Sequence, residues 1–452
     1  MRRRFSLFSF LSLFFVFETS AQNLNLQIGL SGLDMKPKIG IPLAGYGSTR
    51  RRMDSYFDWT FKYPEASLFK PSVGYHSQIR SKVMFLKSGD NNLVFISLDT
   101  IGVEDRFIKD VAYSLKSYGI KEEQIIMSAT HTHGGPGTLS KRLPLQAVAV
   151  DFYRKKNYEY ILKQVKTSVE LAYQNLRPAT LHKVKATING VQKNKWRLKD
   201  KEHYDKRASF LLAKDKTTNE WMGGLVNFSI HGGTMPIDVM LYSSDVNGAI
   251  EHELEHFFSE KNITTMNYPT FLFMNGAEGD VGADIDRSVE GVTKIGQRFI
   301  AQAAPVLEDE ANFTDVEETF SVTKKKIFVG IPSYPLKPCV SGLLAKAPSW
   351  FKLSIYPLFP ANSYISQAKV GDTLYLTWPG EPSTQLGYNL EKMARKYNYD
   401  DIQVLGLVND YMTYFVTKEE AKEDAYDTCS SYYGWEGGAR IHQAHEKMLK
   451  QL

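Results

Sequence analysis

The chain has 452 residues, 43% hydrophobic and 23% charged, a balance found in globular proteins that bury a sizeable core without needing disulfides. Its formal charge is only +5, and no basic run accompanies it, which argues against a nucleic-acid partner.

The first residues, MRRRFSLFSFLSLFFVFETSAQ, carry three arginines, an apolar run from Phe5 to Phe17, and then Thr19, Ser20 and Ala21. This is the pattern of a secretory signal peptide cut after Ala21, and the run is too short to span a membrane. The expected organisation is a signal peptide over residues 1–21 and one domain over 22–452, in a secreted or periplasmic protein. Removal of the peptide lowers the formal charge to +3. No later stretch reaches the roughly 18 uninterrupted apolar residues of a spanning helix.

LVFISLDTIGV (93–103) reads as a buried strand, and DRFIKDVAYSLKSYG (105–119) has helical spacing with a glycine stop. QIIMSATHTH is the next strand, completing a β-α-β pattern. In an extended strand residues i and i+2 share a face. His131 and His133 would therefore look the same way where the strand stops. Gly134, Gly135, Pro136 and Gly137 then open the backbone. Two readings stand at this point: a metal or catalytic site at a strand end, or two satisfied histidines before a glycine-rich turn.

Residues 151–176 read as a long helix, and 208–233 as two strands that end at His231 in NFSIHGGT. AIEHELEHFFSEKN is helical. PTFLFMNGAEGDVG is a strand and a loop holding Asp280, and GVTKIGQRFIAQAAPVLEDE is helical again. GDTLYLTWPGEPSTQLGYNLEKMARKYN gives strand, a loop with Glu381, and helix. The expected fold is α/β, a mixed β-sheet core flanked by helices, with the site at strand ends. His131, His133, His231, Asp280 and Glu381 each follow an apolar strand with glycine close by. Together they favour a site over ordinary strand-ending chemistry.

HELEH, His252 to His256, matches the pattern in which two histidines one helical turn apart bind zinc. Glu251, Glu253 and Glu255 make the segment heavily acidic, and no third histidine follows at metzincin spacing. The segment reads instead as the solvated face of an amphipathic helix.

In order and spacing, GLSGLDMKPKIGIPLAGYG, SATHTHGGPG, NFSIHGGT, NGAEGDVG, WPGEPSTQLG and NDYMTYFVTKEEAKEDAYD resemble the neutral (non-lysosomal) ceramidase family. The resemblance spans nearly the whole mature chain. It implies one zinc ion per chain, with His131, His231, Glu381 and Tyr414 as ligands, and His133 and Tyr426 beside the metal around the substrate carbonyl. Two imidazoles, a carboxylate and a phenol oxygen suit zinc and leave a position for water.

Three departures from the family pattern bear on substrate. The family carries a serine where this chain has Gly282, and glycine there is expected to leave a larger room beside the metal. Asn194-Lys195 stands for the family's Asn-Arg pair, which keeps the charge but loses the guanidinium fork. The chain also ends after RIHQAHEKMLKQL, so no C-terminal immunoglobulin-like domain is expected.

The leading expectation is a secreted zinc amidohydrolase acting on a small-molecule or lipid N-acyl substrate. The alternatives are a non-catalytic ligand-binding relative and a peptidase built on HELEH. The segment 341–366, rich in apolar and aromatic residues, reads either as a surface for peripheral membrane contact or as a buried loop. Cys339 and Cys429 are either bridged, which export permits, or reduced and buried.

Overall fold

The computed structural model of the chain describes residues 26–53, 62–197, 200–263, 268–335, 339, 352–423 and 425–451. The signal-peptide reading of residues 1–21 and the 341–351 part of the apolar segment lie outside the described residues.

Eight strands form the main path of a nine-stranded sheet. They are β1 (Gln27–Met35), β2 (Ile79–Ser88), β3 (Asn91–Leu98), β4 (Ile125–Ala129), β5 (Arg177–Thr187), β6 (Arg207–Asp215), β7 (Trp221–Phe228) and β8 (Thr270–Asn275). Their order is β8–β7–β6–β5–β1–β2–β3–β4, with the short strand Thr314–Val316 beside β5. The β3–β4 and β7–β8 pairs are parallel and the others antiparallel. This is the mixed sheet expected. Helix α1 (Asp105–Ser114) makes the crossover from β3 to β4, and α2 (Lys155–Gln174) follows. Helix α3 (Asp245–Lys261) makes the crossover from β7 to β8, and α4 (Val289–Glu308) comes after it.

The alternation of side chains along each strand builds three apolar layers. Val83, Phe85, Val94 and Ile96 face α1 and α2, in a core completed by Phe107, Ile108, Ile161 and Val165. Phe210, Leu212, Phe271 and Phe273 face α3 and α4, against Ile250, Leu254, Ile295 and Phe299. The residues between them in sequence, Met84, Leu86, Phe95, Leu211, Leu272 and Met274, fill a central core between the two halves of the sheet. The β1–β5 junction is only two residues long, Gln27 and Ile28, so the halves fold over one another. Hydrogen bonds close the sandwich: Ser97 Oγ donates to the Phe273 carbonyl at 2.7 Å, and Asn275 Nδ2 to the Thr130 carbonyl at 2.8 Å.

A second sheet, β9 (Phe320–Phe328), β10 (Asn362–Val370), β11 (Thr373–Thr377) and β12 (Ile402–Leu405), runs in that order. Its Ala368, Val370, Tyr375 and Leu405 join the central core. Its Ile365, Leu374, Leu376 and Val404 pack with α5 (Thr384–Arg395) and α6 (Gly434–Leu449). Cys339 and Cys429 form a disulfide with Cα atoms 5.4 Å apart.

The HELEH helix corrects part of the sequence reading. His252 and His256 are exposed, as expected, but Glu251 and Glu255 are buried. Glu251 Oε2 accepts from Lys82 Nζ at 2.6 Å, and Arg80 Nη1 reaches both oxygens of Glu255 at 2.9 Å. These glutamates are the core-facing side of α3, neutralised by cations from β2. The two histidines lie on the solvent side of the helix.

Candidate metal centre

The site begins where β4 stops. Strand β4 ends at Ala129, and the chain is held beside the end of β3 by Thr130 N–H to the Leu98 carbonyl at 3.0 Å and His131 N–H to Thr100 at 3.1 Å. His131 takes a left-handed backbone conformation, φ 65°, which non-glycine residues seldom adopt. The two histidines are therefore not on one face of an extended strand, as the sequence suggested. The turn at His131 still brings the rings together, with centroids 5.2 Å apart and nearly perpendicular. The glycines that follow are required by close approach: a Cβ on Gly134 would stand 2.7 Å from the Ser243 carbonyl oxygen. Residues 131–134 are thus wedged between the end of β3 and the entry to α3. His133 N–H donates to Gly232 at 2.8 Å, which ties this turn to the one that carries His231.

Glu381 arrives from the loop between β11 and α5, whose N-terminus is capped by Ser383 Oγ accepting from Leu386 N–H. Residues Glu381–Pro382 pair in parallel with Tyr414–Phe415, which sets Tyr414 directly beside Glu381. Tyr411 Oη donates to Glu381 Oε1 at 2.8 Å.

His131 Nε2 lies 3.3 Å from Glu381 Oε2, and His231 Nδ1 lies 3.8 Å from the same oxygen. His133 Nε2 and His231 Nε2 are 3.3 Å apart. His131 Nδ1 lies 2.6 Å from the Ile101 carbonyl. A carbonyl only accepts, so Nδ1 carries a proton, and Nε2 is the ring nitrogen turned toward the cluster. Tyr414 stacks on His231 with centroids 6.5 Å apart, and Tyr426 meets Tyr414 edge-on at 5.6 Å. Tyr426 is 57% exposed, so it stands at the mouth of the cluster. The structure thus brings His131, His133, His231, Glu381 and Tyr414 together, with Tyr426 at their rim.

Three residues here were not among the sequence-predicted site residues. Glu278, in the NGAEGD loop, offers an oxygen to a group with His131 and Glu381 whose ligand atoms lie within 4.8 Å of one another, as do those of His131, His133 and His231. Its neighbour Asp280 was singled out instead. Asp280 is buried and accepts from Thr384 N–H and Oγ1 and from Asn194 Nδ2, each at 2.8 Å, so it latches this loop to the start of α5. Tyr411 is the second, and only its place in YMTY could have flagged it.

The third is Lys195, which overturns the expected room at Gly282. A Cβ built on Gly282 would lie 2.8 Å from Lys195 Cδ and 3.0 Å from its Cγ. The space is filled by the lysine arm, whose own backbone N–H donates to Asp280 at 2.6 Å.

The electrostatics prepare the cluster for a cation. Burial, then the neighbouring His131 and Arg51, hold His133 well below the usual histidine range. Burial, then Lys195 and His131, do the same for His231, so both rings are neutral. Burial favours a protonated Glu381, but His131, Lys195 and Tyr414 outweigh it and keep the carboxyl below its usual range. Burial, and then the neighbouring Glu381, push Glu278 well above its own. Burial lowers Lys195 to about 8 against the pull of Glu381 and Glu278.

Several of these groups are orphans. Glu381 Oε2, both Glu278 oxygens, His133 Nδ1 and His231 Nδ1 are buried without a hydrogen-bond partner. Buried polar groups are nearly always satisfied, and buried charges paired or bound to metal. The His231 nitrogen and the Glu278 and Glu381 oxygens, converging without partners, fit a divalent cation.

The cluster closes one side of a pocket of about 1080 Å³, open solvent at its mouth included. Ile101, Val103, Phe107, Leu139, Leu145 and Val150 form its apolar wall, and His131, His133, Tyr414 and Tyr426 also line it.

Residues 65–294 match the family model described as neutral/alkaline non-lysosomal ceramidase, N-terminal. The chain is 25% identical over 220 residues to neutral ceramidase 1 of Arabidopsis thaliana, covering 45% of this chain and 28% of that protein. It is 24% identical over 448 residues to the neutral ceramidase of Pseudomonas aeruginosa, covering 82% of this chain and 66% of the relative. The fold matches the crystal structure of the Pseudomonas aeruginosa neutral ceramidase with a TM-score of 0.78 at 18% identity, over 95% of this chain and 75% of that one. A ceramidase complexed with C2 matches with a TM-score of 0.79 at 17% identity, over 94% of this chain and 75% of that one.

Proposed function

The chain belongs to the neutral/alkaline non-lysosomal ceramidase family, and on that premise we propose that it is a zinc-dependent amidohydrolase that cleaves an N-acyl lipid or a related amide. The observation that carries the reading is the set of unpartnered, buried histidine and carboxylate atoms at one side of an apolar pocket. In this reading His131, His231, Glu381 and Tyr414 hold the ion. When bound, zinc supplies Lewis-acid polarisation of an acyl carbonyl and a water nucleophile at neutral pH.

The other roles fall to the chain's own side chains. Ile101, Val103, Phe107 and their neighbours bind the apolar part of the substrate and exclude water from the reacting bond. The His131 ring is fixed by its Nδ1 hydrogen bond to Ile101, and the Glu381 carboxylate by that from Tyr411. His133 is neutral and packs against the Tyr46 ring at 4.2 Å between centroids. It is positioned to orient the carbonyl or to exchange a proton with it. Tyr426, a phenol at the mouth, would donate to the oxygen on which charge develops.

Membrane contact is part of the proposal. Leu143, Val148 and Phe152 flank the pocket wall, and Leu353, Tyr356 and Leu358 lie on the adjoining segment. All six are exposed. Phe359, between the two groups, packs with Leu145 and Val150. Such an apolar rim would let a lipid pass from a bilayer into the pocket. Export is proposed on the first 21 residues, and a mature N-terminus at Gln22 would bear it out.

The test is turnover of a panel of N-acyl lipids and short N-acyl amides, with and without chelator. Chelator-sensitive release of fatty acid is expected, with His133→Ala and Tyr426→Phe each slowed on the order of a hundredfold while retaining metal. No turnover of any N-acyl substrate, with metal bound, would favour the non-catalytic ligand-binding reading.

A further inference from the structure

Glu278 has no part in the four-ligand set above, yet it sits in the cluster. Its side chain is fully buried, and neither carboxylate oxygen has a hydrogen-bond partner. One of those oxygens, His131 and Glu381 present ligand atoms within 4.8 Å of one another. Two carboxylates this close repel each other, and burial amplifies the repulsion. The other buried acids of this region are satisfied. Asp280 accepts three hydrogen bonds, and Asp427 accepts from Arg197 Nη2 at 2.9 Å. Glu278 is left open.

The loop that carries it is held firmly. Gly279 N–H donates to the Pro382 carbonyl at 3.0 Å, next to Glu381, and Gly276 N–H to Phe228 at 3.2 Å. The carboxylate is therefore set in place by backbone hydrogen bonds on both sides, with the Lys195 charge nearby but no hydrogen-bond partner for either oxygen. A divalent cation between the two glutamates removes the repulsion and satisfies the open oxygens together.

We propose that Glu278 is a further metal ligand, making this a two-carboxylate centre in which the ion bridges Glu278 and Glu381 to the histidines. The inference rests on the reading of the cluster as a metal site and adds a donor to it.

The experiment uses the full chain stripped of metal by chelation and reloaded with Co²⁺, whose visible absorption reports the number and kind of ligands. Wild type and Glu278→Gln are compared, with affinity measured by chelator competition. Loss of an outer hydrogen-bond partner costs about ten- to a hundredfold in metal affinity. Loss of a direct ligand is expected to exceed a hundredfold and to change the position or intensity of the cobalt bands. The spectrum decides: bands that superimpose on those of wild type overturn the proposal whatever the affinity. If Glu278→Gln fails to fold, a crystal structure of zinc-loaded wild type decides instead. A Glu278 oxygen about 2.0–2.2 Å from the ion upholds the proposal, and a carboxylate out of contact overturns it. Wild type that binds no Co²⁺ or Zn²⁺ sinks the metal-site reading itself, whereas an unchanged variant spectrum sinks only the role of Glu278.

Discussion

Gly282→Ser places a side chain where the Lys195 arm already lies. The clash is with Lys195 Cδ and Cγ, at 2.8 and 3.0 Å from the new Cβ, rather than with the mobile end of the side chain. Lys195 cannot retreat as a whole, because its backbone N–H is bound to Asp280 and its strand neighbour Asn194 pairs with Val281. The arm must rotate and take its ammonium away from Glu278 and Glu381. Overpacking of this kind costs about 1–3 kcal/mol. A less flexible unfolded chain returns about 0.4–1 kcal/mol, which leaves a net loss of up to about 2.6 kcal/mol. Urea unfolding of wild type, Gly282→Ser, Lys195→Ala and the double variant forms a cycle. The two changes are expected to couple favourably by about 0.5–3 kcal/mol, since removing the lysine arm makes room for the serine. In parallel, fatty-acid release should not improve in Gly282→Ser alone. A serine variant as stable as wild type, with no coupling to Lys195→Ala, would show that the lysine does not occupy that space.

His445 is buried, with Nε2 2.9 Å from the Thr377 carbonyl and Nδ1 3.2 Å from Gln367 Nε2; burial lowers it to about 4 from 6.5. The unfolded chain therefore takes up a proton first as pH falls below 6.5, and stability should drop by roughly 2 kcal/mol between pH 6.5 and 5. His445→Gln should flatten that slope in denaturant titrations, and an unaltered slope would assign the loss to other groups. Cys429→Ser opens a bridge across 90 positions of sequence and should cost about 2–5 kcal/mol on the loop-entropy argument; an unchanged unfolding midpoint would deny the bridge that role. The double variant His252→Ala, His256→Ala, on the exposed side of α3, should leave metal content and turnover unchanged, and loss of metal there would revive the peptidase.

The α/β class, the β-α-β crossover and the helices were readable because apolar periodicity was strong in segments such as 93–119 and 291–310. The strand-end residues His131, His231 and Glu381 were visible as polar residues after apolar runs. Their convergence depends on how the sheet folds over at the two-residue β1–β5 junction, and no local pattern encodes that. His131 illustrates the limit: its place in the site was readable, but its positive φ reverses the strand geometry from which that place was argued. Glu251 and Glu255 were mistaken for solvated charges because the compensating cations, Arg80 and Lys82, are some 170 residues away in sequence. Glu278 escaped for a related reason. A lone glutamate between glycines reads as a loop residue until Glu381 and His131 are seen beside it.

The most direct measurement is the metal content of the purified chain after reconstitution with Zn²⁺ and removal of loosely bound ions. About one zinc per chain is predicted for a single site of this donor set, falling to near zero in His131→Ala and His231→Ala when both variants are folded. No retained zinc in wild type, or equal retention in those two variants, would contradict the account of this cluster as the metal centre.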